Sequence, residues 1–108
     1  MSKLLNTTKL KKVLTGLKRE KKKVVITNGC FDIIHPGHIE VLRKSKKLGD
    51  VLIVLLNSDK SVKKLKGKER PFINESDRSK ILLSLKYVDY VIIFDEYIRS
   101  TFVRCCNA

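Results

Sequence analysis

Val24-Val25-Ile26-Thr27-Asn28-Gly29-Cys30-Phe31-Asp32-Ile33-Ile34-His35-Pro36-Gly37-His38 runs from β-branched residues through a polar turn into a proline-glycine helix start. Val24 to Ile26 followed by Thr27-Asn28-Gly29 reads as a short strand and its exit. Pro36 and Gly37 suit the first turn of a helix, which continues to Leu48 before Gly49-Asp50 stop it. Downstream, Val51 to Leu56 is an apolar run without alternation, the pattern of a strand covered on both faces. Asn57-Ser58-Asp59 end it, and Ser58 or Asp59 can cap a short helix through Leu65. Gly67 to Asn74 reads as a loop. Ile81, Leu82 and Leu85 restore helical spacing over Glu75 to Lys86, and Tyr90 to Phe94 is the third strand. Upstream, Leu4, Leu5, Leu10, Val13, Leu14 and Leu17 predict an amphipathic helix from Leu4 to Leu17, with lysines between them.

This order is βαβαβ, for which parallel pairing is the economical packing. The expected fold is therefore α/β, a Rossmann-like three-layer arrangement with a parallel sheet of three strands. The chain divides into an amphipathic helix and basic linker over 1–23, a core over 24–96 and an atypical tail over 97–108. A length of 108 residues is enough for one domain.

Twenty-four Lys and Arg against eleven Asp and Glu leave a formal charge of +13. A field of that sign favours phosphorylated partners without specifying them. The cations cluster over Lys9 to Lys23, over Arg43 to Lys47 and over Lys60 to Arg70. Zinc-finger spacing and an aromatic-rich RNA-binding strand are both lacking, so nucleic acid is not the expected partner, although a basic nucleic-acid-binding protein stays as an alternative. Cys30, Cys105 and Cys106 form neither a disulfide framework nor a metal knuckle. No apolar run approaches the roughly 18 residues that span a bilayer, so no membrane partner is expected and the cytoplasm is the default compartment.

In such a sheet, ligands gather beyond the carboxyl ends of the strands. Those ends are Thr27 to Asp32, Asn57 to Asp59 and Asp95-Glu96, all polar. Gly29 would permit a backbone geometry otherwise strained, and Gly37 would let a phosphate approach the main chain. Free N–H groups at the helix start would face the same space. His35 and His38, three apart, can both face it, donate to phosphate oxygens and offset developing charge. As a metal pair they supply two ligands at most, so no protein metal site is expected.

With these residues in hand, the segment resembles the cytidylyltransferase-like nucleotidyltransferases, whose signature is His-x-Gly-His after the first strand. Within that superfamily it is most similar to the ADP-heptose synthase (heptose 1-phosphate adenylyltransferase) domain. Thr27 to Asp32, His35-Pro36-Gly37-His38, Asn57-Ser58-Asp59, Ser61-Val62, Leu65-Lys66-Gly67, Arg70-Pro71, Asp77-Arg78, Val88-Asp89 and Phe94-Asp95-Glu96 carry the likeness in order.

The resemblance implies transfer of a nucleoside monophosphate from ATP or CTP to a sugar phosphate, with pyrophosphate release and Mg²⁺ as cofactor. By carry-over, His35, His38 and Lys66 are the expected catalytic residues. Asn28, Gly29, Cys30, Phe31, Gly37, Asn57, Asp59 and Arg78 are expected to bind nucleotide or phosphate. Arg78 has three readings: pairing with Asp77, pairing with Asp89, or reaching an anionic ligand. Asp32 is expected to orient the turn or a metal-bound water, and Cys30 mainly to pack.

The family pattern continues beyond Phe94-Asp95-Glu96, whereas here Tyr97 to Ala108 departs from it. The tail reads as a truncated or frameshifted product, which would leave Val24 to Ile26 on an exposed edge unless the tail covers it. Two further expectations follow: a homodimer that completes the site, or a catalytically silent fragment that still binds nucleotide.

Overall fold

A computed structural model describes residues 3–95 and 103–107, the last two through their backbone alone. Glu96, the end of the expected core, and tail positions 97–102 and 108 lie outside the described residues. The elements follow as β1 (Leu4–Leu5), α1 (Thr7–Arg19), β2 (Lys23–Gly29), α2 (Pro36–Lys47), β3 (Val51–Asn57), α3 (Asp59–Lys66), α4 (Glu75–Leu83), β4 (Tyr90–Phe94) and β5 (Val103–Asn107).

The unbroken apolar run of β3 lies at the centre of a sheet ordered β1-β4-β3-β2-β5. Leu52, Ile53, Val54 and Leu56 are fully buried, as expected of a strand covered on both sides. Parallel registers place Val24 opposite Val51 and Val54 opposite Val91. Leu42 of α2 and Leu82 of α4 are fully buried in the same core, and truncating such a leucine to alanine costs about 2–5 kcal/mol.

The expectation of a three-stranded parallel sheet is corrected: the described residues form a mixed sheet of five strands with four helices. Leu4 and Leu5 pair in parallel with Val91 and Ile92 instead of opening the first helix. Asn6 sets the boundary: its extended backbone and a side chain accepting from the Lys9 N–H (2.8 Å) cap α1, which opens at Thr7, three residues later than the leucine spacing suggests. At the other edge β5 runs antiparallel to β2, with Val25 opposite Cys105 and Thr27 opposite Val103. The tail therefore covers the edge of β2, and Val24 and Val25 are completely buried. None of the helices among the described residues is long and apolar enough to cross a membrane.

Candidate functional site

Beyond the carboxyl ends of β2 and β3 opens a cavity of about 830 Å³, within the size range of small-molecule sites. Asn28, Gly29, Cys30, Phe31, His35, His38, Asn57 and Lys66 all line it. Gly37, Asp59 and Arg78 are not on its wall.

The two histidines are brought together by the start of α2. His35 is its N-cap, and its Nδ1 accepts from the Gly37 N–H at 3.0 Å. His38 returns the bond, its Nδ1 accepting from the His35 N–H at 3.3 Å. The rings stack with centroids 4.0 Å apart, and Phe31 meets His38 edge-on at 5.4 Å. With both Nδ1 atoms accepting, each neutral imidazole carries its proton on Nε2. The histidines thus close the helix start on themselves.

That closure corrects the expectation of free backbone donors. Pro36 has no N–H, Gly37 donates to His35 Nδ1, and the His38 and Ile39 N–H groups donate to the His35 carbonyl at 2.9 and 3.2 Å. Any anion held here would meet imidazole edges and cationic side chains instead of an open first turn. The glycines also act differently from expectation. A Cβ at Gly37 would lie 2.8 Å from His35 Cε1, and one at Gly29 would lie 2.6 Å from Phe31 Cε2. Both make room for a ring. The left-handed backbone falls on Phe31 itself, at φ 46°, a conformation that costs roughly 1–2 kcal/mol for a residue with a side chain. Burial of its ring over Gly29 and against His38 holds it there.

Arg78 sits behind the cavity, wholly buried. Its Nη1 donates to the carbonyls of Cys30 (2.6 Å) and Asn57 (2.8 Å), its Nε to that of Ile73 (2.8 Å), and its Nη2 to Asp59 Oδ1 (2.8 Å). The expected pairing with Asp77 or Asp89 is corrected: Asp77 belongs to the cap of α4 with Asn74, and Asp89 receives Lys46 and the Leu52 N–H. Arg78 joins the exits of β2 and β3 to the loop before α4, and Asp59 is its counter-ion.

Asp32 is nearly inaccessible and pins that same loop, accepting from the N–H groups of Phe72 (2.8 Å) and Ile73 (3.0 Å) and from Arg70 Nε. Burial by itself would raise its carboxyl; the Ile73 N–H, the Arg70 guanidinium and the Phe72 N–H outweigh that and hold it below the usual carboxylate range. Arg70 lines the cavity, yet the sequence marks it only as one cation in a cluster with five lysines that runs over α3 and the loop behind it. Its signal was the Arg70-Pro71 step, which belongs to the family likeness.

Burial pushes the Cys30 thiol up, against the opposing pull of Lys66 and Arg78, so it packs as a neutral group. Burial pushes the His38 imidazole down, and the charges of His35 and Lys66 push it further, against a bond to the Ile33 backbone. Between the folded-state value and the ordinary histidine value of about 6.5, the unfolded chain binds more protons. His38's contribution to stability is therefore intact above that ordinary value and is lost as pH falls through the lower, folded one. Urea midpoints measured from pH 7.5 to pH 5 should decline, and His38→Gln should flatten the decline. An equal slope in the variant would refute this assignment.

Magnesium finds no ready-made cage here. Asp32, the carboxylate on the cavity wall, has both oxygens engaged, and the described residues contain no group of three His, Cys, Asp or Glu fit for a metal. Mg²⁺ is usually held by one or two carboxylates together with substrate phosphates. A magnesium ion would thus arrive with a phosphorylated substrate.

A family model described as cytidylyltransferase-like matches residues 26–102. Over 87 residues the chain is 55% identical to the bifunctional protein HldE of Helicobacter pylori strain J99, spanning 81% of this chain and 19% of that protein. Over 84 residues it is 61% identical to the bifunctional protein HldE of Campylobacter jejuni subsp. doylei, spanning 78% of this chain and 18% of that one. The chain spans about a fifth of the length of these curated relatives. Among solved structures it is similar to the lipopolysaccharide core biosynthesis protein from Thermoplasma volcanium, with TM-score 0.58 and 42% identity, covering 66% of this chain and 56% of that one.

Proposed function

Because the chain belongs to the cytidylyltransferase-like family, we propose that it moves a nucleoside monophosphate from a nucleoside triphosphate to a sugar phosphate. The observation that carries this reading is the stacked His35–His38 pair, locked by its own backbone bonds on the wall of a cavity that also holds Lys66. The acceptor's phosphate oxygen attacks the α-phosphorus, the bond from that phosphorus to the bridging oxygen breaks, and pyrophosphate leaves with the electron pair. The attacking oxygen is already anionic, so no strong base is required, and orientation plus charge stabilisation supply the rate.

In this reading the imidazoles of His35 and His38 and the ammonium of Lys66 take the triphosphate, which brings its own Mg²⁺. Asn28, Gly29, Cys30, Phe31 and Asn57 form the wall around it. Gly37 serves by leaving room for the His35 ring, while Asp59 and Arg78 support the wall from behind. ATP and CTP are the candidate donors. The likeness to the ADP-heptose synthase domain favours ATP, and a structural relative named for lipopolysaccharide core biosynthesis fits a sugar acceptor.

The test is pyrophosphate release by the purified chain given Mg²⁺, ATP or CTP, and a panel of sugar 1-phosphates. Release that needs both substrates and prefers one base is expected. Absence of release at high protein concentration would overturn the enzymatic reading; nucleotide binding lost in His38→Ala would then mark a silent nucleotide-binding fragment.

A further inference from the structure

The transfer reading leaves Arg70 without a task. Its guanidinium is held on two sides: Nε donates to the buried Asp32 carboxylate, and the guanidinium carbon stands 4.5 Å over the Phe72 ring. No acceptor among the described residues takes its Nη1 or Nη2 groups, which together carry four N–H. A guanidinium oriented in advance, with its outer edge unused and lining a cavity, is a bidentate donor for a tetrahedral oxyanion.

Two further observations separate Arg70 from the histidines. His35 and His38 stand at the start of α2, whereas Arg70 stands on the loop after α3, which Asp32 fastens through the Phe72 and Ile73 N–H groups. Lys66 and Arg70 both bear on the Cys30 thiol, but of the two only Lys66 also bears on His38. Lys66 is thus the cation shared with the imidazoles, and Arg70 is the other full cation on the wall. Ile33, 53% exposed, lines the same cavity, and Phe72, 64% exposed, lies under the guanidinium, so apolar surface is at hand for the carbon skeleton of a small ligand.

We infer that Arg70 binds the phosphate of the second, non-nucleotide substrate, with Asp32 and Phe72 as the groups that aim it. The inference rests on the transfer reading, which requires two phosphorylated substrates in one cavity. It assigns the histidine side to the triphosphate and the Arg70 side to the acceptor. Asp32 in this arrangement is a positioning residue: its carboxylate fixes the Nε edge, so that the Nη edge faces outward.

The experiment uses the whole chain saturated with α,β-methylene-ATP, which cannot be cleaved at the reacting bond, and titrates mannose 1-phosphate and inorganic phosphate by calorimetry. Arg70→Gln and Arg70→Lys should each weaken both phosphate ligands by about ten- to a hundredfold, the worth of a hydrogen bond to a charged group, while analogue affinity stays within about twofold. Phe72→Ala retains the guanidinium and its Asp32 bond and should weaken the same ligands by a smaller factor. An equal loss of analogue binding in the Arg70 variants would overturn the inference. So would undiminished sugar-phosphate binding in a folded Arg70→Lys chain, or failure of the unaltered chain to take up sugar phosphate beside the analogue. Turnover is not read, so a chain that binds both ligands without releasing pyrophosphate from ATP would sink the transfer reading and leave this one standing.

Discussion

Replacing Arg78 with methionine should lower the stability of the fold by about 3–5 kcal/mol, the usual consequence of removing one partner from a buried ion pair. The loss comes less from Asp59 than from the backbone. The Asp59 side chain is 33% exposed and can turn to water, whereas the carbonyls of Cys30, Asn57 and Ile73 would lose a buried donor. Removing the donor from a buried carbonyl costs about 1–3 kcal/mol. Methionine restores most of the volume and none of the bonds. Lysine should recover only part, since one ammonium cannot reach four acceptors spread over three segments. Urea unfolding with an unchanged slope and a lower midpoint is the expected record. A loss under about 1 kcal/mol would mean that the clamp is ornamental. Cys30 and Asn57 line the cavity, so the same variant should also bind nucleotide more weakly.

Changing His35 to asparagine should separate the two jobs of that residue. Asparagine is among the best N-caps, so the bond to the Gly37 N–H can be rebuilt and stability should move by no more than about 0.5 kcal/mol. The imidazole is gone, however, and with it the donor that the transfer reading assigns to the charge building on the triphosphate. Loss of such a donor lowers kcat by about a hundred- to a thousandfold. His35→Ala should show the same kinetic loss together with about 1 kcal/mol of helix destabilisation. Turnover kept within about tenfold in His35→Asn would show that the ring serves only as a cap.

The location of the cavity is legible in the sequence, because polar exits after apolar runs mark the carboxyl ends of strands. Thr27-Asn28-Gly29 and Asn57-Ser58-Asp59 both follow such runs, and Asn28, Gly29 and Asn57 line the cavity. The pairing of His35 with His38 was legible from spacing alone, since a helix start brings positions three apart onto one side. Their mutual capping was not, because it depends on ring rotamers that use up the backbone donors the sequence led one to expect. Arg78 was legible only as a charge near a helix start. Its partners come from the turn after β2, the end of β3, the start of α3 and the loop before α4, a set that no local pattern reveals.

By itself the amino-acid order determined the elements with dense, locally periodic signals: the buried strand at Val51, the helix entered at Pro36, and the strand from Tyr90 to Phe94. Hydrophobic period and turn chemistry are properties of neighbouring residues, and so they are written in the chain. Tertiary structure alone decided the edges and the linkages. Leu4-Leu5 became a strand because β4 offered unpaired backbone groups, and Val103–Asn107 became one because β2 did. Asp32 and Arg78 became struts for the same kind of reason, since a buried charge takes its place from whichever distant groups can satisfy it.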